Sequence, residues 1–274
     1  MKKYSFIITL LLSVLLLTNP LNSNAESTDN LLSMEELTIQ VMPEFAYHPN
    51  DDKKEHPPLL IGYQGTMLNQ SDQPLKGQIE IPLPMNEKNF RIGYVADYSS
   101  DLSKVYDIEY IIDTEKSTIS WVTSEDIQPN EVYKFVVEFY IDSIVADKKN
   151  RSLSYQFESF ADIGLFNVSF VQPLKAEKIK LDPAPEEKKT HADEEGIFSY
   201  HYQGIKAGDE KKFLLEYQRS ETMTTIELVE SPNKGIDELK ENESATKLAI
   251  GAFSGVSLLA AGILTLLIRR RKQS

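Results

Sequence analysis

From Glu36 to Val229 the apolar side chains recur at every second position, not at every third or fourth. Leu37, Ile39 and Val41 alternate with Thr38 and Gln40, and Ile79, Ile81 and Leu83 alternate with Gln78 and Glu80. Tyr133, Phe135, Val137, Phe139 and Ile141 line one face of a run whose other face carries Lys134 and Glu138. Phe166, Val168 and Phe170 repeat the pattern, as do Phe198, Tyr200 and Tyr202, then Phe213, Leu215 and Tyr217. A period of two sends successive side chains to opposite faces of an extended chain, and these Val, Ile, Tyr and Phe residues suit a half-buried pleated surface. Roughly eleven or twelve such runs follow one another, spaced by turn residues. Asn69-Gln70-Ser71-Asp72-Gln73-Pro74 and Lys206-Ala207-Gly208-Asp209 have the chemistry of tight turns. The expectation is an all-β exterior of one or two antiparallel β-sandwich modules, with no helix before a candidate at Ile236–Glu243.

The best boundary is Ala146–Arg151, where Asp147-Lys148-Lys149-Asn150-Arg151 interrupts two apolar runs. It divides the strand-rich region into a first module, 35–146, and a second, 147–229. One continuous sandwich is the alternative. Residues 26–34 are polar and read as a disordered N-terminus, and residues 230–247 are charged and poor in aliphatics, as a stalk would be.

The stretch from Gly65 to Pro84 holds two alternating runs joined by Asn69-Gln-Ser-Asp-Gln-Pro74-Leu. It resembles strand pairs of immunoglobulin-like and fibronectin-III-like extracytoplasmic modules in bacterial membrane-anchored surface proteins. The resemblance covers about 20 residues. It implies a sandwich and no particular activity, because such folds host many unrelated roles.

The two ends differ in character from the middle. Lys2 and Lys3 precede an apolar run from Phe6 to Leu17, broken only by Thr9 and Ser13. Asn19-Pro20 follows, and Ser23-Asn24-Ala25 places small residues before a cut at Glu26, so residues 1–25 read as a signal peptide. The run would make about 18 Å of helix, short of the ~30 Å hydrocarbon core. Leu248 to Ile268, by contrast, holds no charge and no proline, and as a helix it would span roughly 32 Å. Arg269, Arg270, Arg271 and Lys272 follow at once and anchor a cytoplasmic tail, 269–274, by the positive-inside rule. No Leu-Pro-x-Thr-Gly motif precedes the segment, and removable lipid-anchor tails do not end in four cations. The expectation is a single-pass plasma-membrane protein with its bulk outside the cytoplasm. Gly251 and Gly255 form a Gly-x-x-x-Gly pair that would let two membrane helices approach, as a homodimer or with another membrane subunit.

Composition removes several function classes. Without cysteine there is no disulfide scaffold, thiol nucleophile or Cys-ligated metal. Setting aside Lys2, Lys3 and the four cations of the tail leaves 23 basic residues against 42 acidic ones outside the membrane. Such a chain repels phosphate backbones, and no nucleic-acid partner is expected.

Candidate chemistry is sparse. His48 and His56 bracket a loop with Asp51, Asp52 and Glu55, but Lys53 and Lys54 would oppose a cation there. His191, Asp193, Glu194, Glu195 and His201 form a second group, after Pro183-Ala-Pro-Glu-Glu-Lys-Lys, which reads as a flexible insertion. Both read as solvated loops, and neither His-Glu-x-x-His nor a calcium-loop pattern occurs. Ser231–Lys234 and Ser244–Lys247 match Ser-x-x-Lys without the companion motifs that would make it catalytic. Tyr94, Tyr98, Tyr106 and Tyr110 lie close together. Core packing is expected for Tyr106, Tyr110 and Trp121, whereas Tyr94 and Tyr98 are open candidates for a ligand platform. No catalytic, cofactor or metal residue is assigned. The functional expectation is a non-enzymatic binding module at the cell surface that recognises a protein or, second, a glycan. The alternative is an accessory subunit or assembly factor of a membrane complex.

Overall fold

The computed structural model describes residues 31–51, 56–190 and 196–230. The segments read from sequence as signal peptide (1–25), most of the stalk (230–247), the membrane helix (248–268) with Gly251 and Gly255, and the basic tail (269–274) lie outside the described residues. Among the described residues no helix is long and apolar enough to cross a membrane.

The alternating runs become strands, and the described residues are all-β apart from one short helix. The strands are β1 Leu32–Pro43, β2 Leu59–Asn69, β3 Gln78–Pro82, β4 Arg91–Tyr98, β5 Val105–Asp107, β6 Tyr110–Asp113, β7 Thr118–Val122 and β8 Val132–Ile141. They continue with β9 Val145–Asp147, β10 Asn150–Glu158, β11 Ile163–Val171, β12 Glu177–Asp182, β13 Glu187–Thr190, β14 Gly196–Ile205 and β15 Glu210–Gln218; α1 is Thr225–Glu230.

Three sheets result: an eight-stranded sheet in the order β13-β14-β11-β1-β2-β8-β4-β5, a four-stranded sheet β12-β15-β10-β9 and a three-stranded sheet β3-β7-β6. Both smaller sheets cover the same face of the large one. Leu37, Ile39, Tyr63, Phe135, Val137, Phe166 and Phe170 join one buried cluster with Ile79 and Trp121 of the small sheet and Tyr155, Phe157 and Phe213 of the four-stranded sheet. Rings make the layer contacts: Trp121 meets Phe135 edge-on at 5.3 Å, and Phe157 stacks on Phe166 at 4.6 Å. The layering is consistent with a β-sandwich.

One pairing departs from the antiparallel expectation. β1 runs parallel to β11, from Met34 opposite Ile163 to Val41 opposite Phe170. A period of two sets which face a side chain takes but carries no information on the direction of the neighbouring strand. The pairing also sets strands from both sides of the Ala146–Arg151 break in one sheet, and that break itself is the β9–β10 hairpin turn.

Local chemistry explains the connections. Asn69 is buried at the end of β2; its amide donates to the Gln73 and Ile127 carbonyls while its Oδ1 accepts from the Ser71 backbone and hydroxyl. The β14–β15 turn places Gly208 at φ 85°, a left-handed conformation that glycine adopts without steric cost. Three segments differ from the sequence reading. Of the N-terminus 26–34 read as disordered, residues 32–34 open β1 and Met34 is buried, because they pair with the end of β2; residues 26–30 lie outside the described residues. Glu187–Thr190, within the supposed flexible insertion, is an edge strand whose Glu and Lys side chains suit a solvated sheet edge. The alternation assigned through Val229 gives way to α1, because Thr224 and Glu227 form a capping box: the Glu227 backbone donates to Thr224 Oγ1, and the Thr224 backbone donates to Glu227 Oε2.

Candidate functional site on the reverse face of the large sheet

The face of the eight-stranded sheet turned away from the two smaller sheets carries the alternate residues. On β1 these include Gln40 and Met42, on β2 Leu60 and Gly62, on β8 Val136, Glu138 and Tyr140, and on β4 Tyr94, Ala96 and Tyr98. Strand register sets Gln40, Gly62, Glu138 and Tyr94 at one level across four neighbouring strands. Ser169 and Ser199 extend the same row beyond Gln40. Gly62 contributes no side chain, so none stands between Gln40 and Glu138 along the row.

This row is polar yet buried, with Gln40 at 3% and Glu138 at 2% exposure. Oε1 of Gln40 and Oε1 of Glu138 both lack a hydrogen-bond partner. Burial pushes the Glu138 carboxyl up to about 8, because a carboxylate withdrawn from water is costly without a counter-charge. Apolar patches flank the row. Tyr94 and Tyr98 pack on Ala96 and Val136, while Tyr140 joins Met42, Leu60 and Val171 with Phe45 beside them. The phenols respond to the same setting: burial, then Glu138, raises Tyr98, and burial with the nearby Asp107 and Glu138 raises Tyr94.

At the Tyr140 end the β4–β8 pairing brings in the first histidine loop. His48 meets Tyr140 edge-on at 5.2 Å, and the Arg91 guanidinium lies 5.9 Å over the same ring. Arg91 is ion-paired with Asp51 and lies 3.8 Å from Asp142, while His56 Nε2 is 3.2 Å from the other oxygen of Asp142. Asn89 also donates to Asp142. The carboxylates of this corner therefore already face a fixed cation in Arg91, which a metal ion would have to displace. Asp52 and Glu55 lie outside the described residues. Among the described residues no three His, Asp or Glu side chains are placed to hold a metal.

The other sequence candidates fall elsewhere. His201 Nδ1 is 2.8 Å from Asn167 Oδ1 on the exposed surface, and its loop partners His191, Asp193, Glu194 and Glu195 lie outside the described residues, as do both Ser-x-x-Lys pairs. Trp121 is in the core as expected, its Nε1 donating to the Tyr133 hydroxyl at 2.8 Å. Tyr106 and Tyr110 are not. They sit on the edge strands β5 and β6, where alternation persists but little lies beyond to bury them; Tyr106 donates to Glu125, and Tyr110 is exposed. Sequence reasoning missed Gln40, Arg91 and the isolation of Glu138. A signal for the last was present, because Glu138 is the one charge between Phe135 and Ile141, a run apolar on both faces.

No protein-family model matches the chain, and no curated protein matches it.

Proposed function

We propose that the chain is a single-pass, membrane-anchored extracytoplasmic protein acting as a non-enzymatic binding module, built on one continuous immunoglobulin-like sandwich across residues 35–229, because strands from both sides of the Ala146–Arg151 break share a sheet. The binding surface is the edge of the large sheet's reverse face where Tyr94 and Tyr98 are part-exposed, with Glu138 and Gln40 buried behind them. The observation that carries this reading is the pair of buried, unpartnered acceptors, Gln40 Oε1 and Glu138 Oε1, on either side of Gly62. Such groups cost free energy until donors reach them, so the fitting occupant brings hydrogen-bond donors and positive charge. A protein surface presenting Lys or Arg, flanked by apolar residues to meet Tyr94, Tyr98 and Tyr140, satisfies both demands. A glycan would supply hydroxyl donors and stack on the tyrosines but would bring no cation to hold Glu138 in its charged form. The signal peptide, the segment 248–268 and the basic tail support the membrane-anchored placement.

The test is a photocrosslinking side chain placed at Tyr98 in full-length protein in intact cells, with a second at Lys211 as the control. An adduct at Tyr98 that is absent at Lys211 and lost in Glu138→Gln supports the reading. Equal adducts at both positions, no adduct at Tyr98, or an adduct indifferent to Glu138 overturns it. Placement is tested with single cysteines at Ser100 and Gln273: a membrane-impermeant maleimide should label only the first in intact cells.

A further inference from the structure

The flank formed by β5, β6 and their connections is unusual for a sheet edge. Leu102, Val105, Tyr110, Ile111 and Ile112 are all exposed within eleven positions, Val105 at 51% and Ile111 at 70%. Among the described residues β6 ends the three-stranded sheet and pairs only with β7, so no described strand meets the backbone N–H and C=O groups of its other side. Its first three residues carry no charge and no proline.

Other sheet edges among the described residues are guarded. β3 contains Glu80 and ends in Pro82, β12 carries Glu177, Lys178, Lys180 and Asp182, and β13 carries Glu187, Lys188 and Lys189, while β5 and β9 are three residues long. Charges, proline and shortness are the usual means of keeping an edge from pairing with another chain. β6 has its four-residue length and one charge, Asp113 at its last position, and it adds aliphatic side chains that favour pairing.

The charges around β6 select the partner. Between Ser99 and Lys116 there are five acidic residues, Asp101, Asp107, Glu109, Asp113 and Glu115, against two basic ones, Lys104 and Lys116. A second copy of β6 paired antiparallel about Ile111 would set Glu109 against Asp113 of the other copy, at both ends of a short ladder. Like charges directly opposite are destabilising, so self-pairing is disfavoured.

We propose that β6 accepts an extended, apolar peptide segment with Lys or Arg at both flanks, which adds to the three-stranded sheet as a fourth strand. Main-chain hydrogen bonds to the free edge of β6 supply the register. Side chains beside Ile111 cover its exposed surface, and the flanking cations meet Glu109 and Asp113. This is strand addition to an open edge, with specificity set by charge at the ends. It is independent of the reverse-face reading, because β6 belongs to a different sheet.

The experiment uses the full-length protein in lipid nanodiscs and two fluorescein-labelled peptides, Lys-Lys-Val-Thr-Val-Thr-Val-Lys-Lys and the same sequence with Glu at its four flanking positions. The lysine-flanked peptide is expected to bind in an anisotropy titration and to slow amide exchange at Tyr110–Asp113, and the glutamate-flanked one to do neither. Ile111→Asp should weaken binding by at least about tenfold, as for a central contact residue. Because Ile111 is exposed, Ile111→Asp is not expected to unfold the chain, and unchanged exchange in β7 and β8 would show that. Equal binding of both peptides, absence of protection at Tyr110–Asp113, or full binding by Ile111→Asp overturns the proposal. So does protection of the same amides by self-association, seen as concentration-dependent sedimentation without peptide, since the edge would then belong to a homodimer.

Discussion

Arg219 Nη1 lies 2.7 Å from Glu44 Oε2, although the two residues are 175 positions apart in the chain. The Arg219 side chain is fully buried, and it also donates to the Leu174 and Met223 carbonyls. Glu44 in turn accepts from the Tyr217 hydroxyl at 2.8 Å, with the Arg151 guanidinium 3.3 Å away. The cluster fastens the end of β1 to the end of β15 and fixes the link into α1. Burial and the Glu44 charge raise the Tyr217 phenol, so the tyrosine stays a neutral donor.

Removing one partner of a buried pair strands the other. Arg219→Ala should therefore lower the unfolding free energy by about 3–5 kcal/mol in urea titration. Arg219→Lys should recover only part of that, because an ammonium cannot reproduce the forked geometry that reaches Glu44 and two carbonyls together. A loss under about 1 kcal/mol for Arg219→Ala would show that the cluster is not held in solution.

Glu138 gives the chain a pH dependence of definite sign. Its folded value, about 8, lies above the ordinary 4.5, so the folded state binds more protons than the unfolded state between those limits. Stability contributed by the protonated carboxyl is complete below about 4.5 and is lost as pH rises toward 8, at no more than about 1.4 kcal/mol per pH unit. Glu138→Gln should flatten that part of the curve and exceed the native protein in stability at pH 8. Parallel curves for the two proteins would contradict the buried-carboxyl assignment.

Gly65 faces the ring of Phe135, and a Cβ there would fall 2.2 Å from ring carbons of that fully buried side chain. Gly65→Ala should cost about 1–3 kcal/mol through overpacking. Adding Phe135→Leu should make the double variant less destabilised than the sum of the single ones. Simple additivity in thermal unfolding would mean that the two do not share this space.

Tyr133 relays two hydrogen bonds, accepting from Trp121 Nε1 and donating to buried Asp97 at 3.1 Å. Tyr133→Phe leaves the indole N–H without its acceptor and should cost about 1–3 kcal/mol. The chain has one tryptophan, so a shift in its emission reports the change directly.

Strand content was legible because burial on one face writes a period of two into residues such as Phe213, Leu215 and Tyr217. The turns at Asn69 and Gly208 were legible because their chemistry is local. The sharing of one sheet by β1 and β11 was not, since pairing over more than a hundred positions leaves no mark on either segment. The site was half legible. Tyr94 and Tyr98 stood out as candidates, whereas Gln40 and Glu138 looked like ordinary polar positions until register set them on either side of Gly62. Tyr106 and Tyr110 misled because alternation records which way a side chain points and not whether anything lies above it.

The parallel contact of β1 with β11 has a consequence for biosynthesis. A polypeptide made from its N-terminus can form the hairpin of β1 and β2 early, yet the other flank of β1 stays open until residues 163–171 emerge. Closing so distant a contact carries a loop-entropy cost and slows folding. The half-finished chain thus leaves one edge of β1 uncovered until the later strand arrives, the kind of transient edge that promotes aggregation.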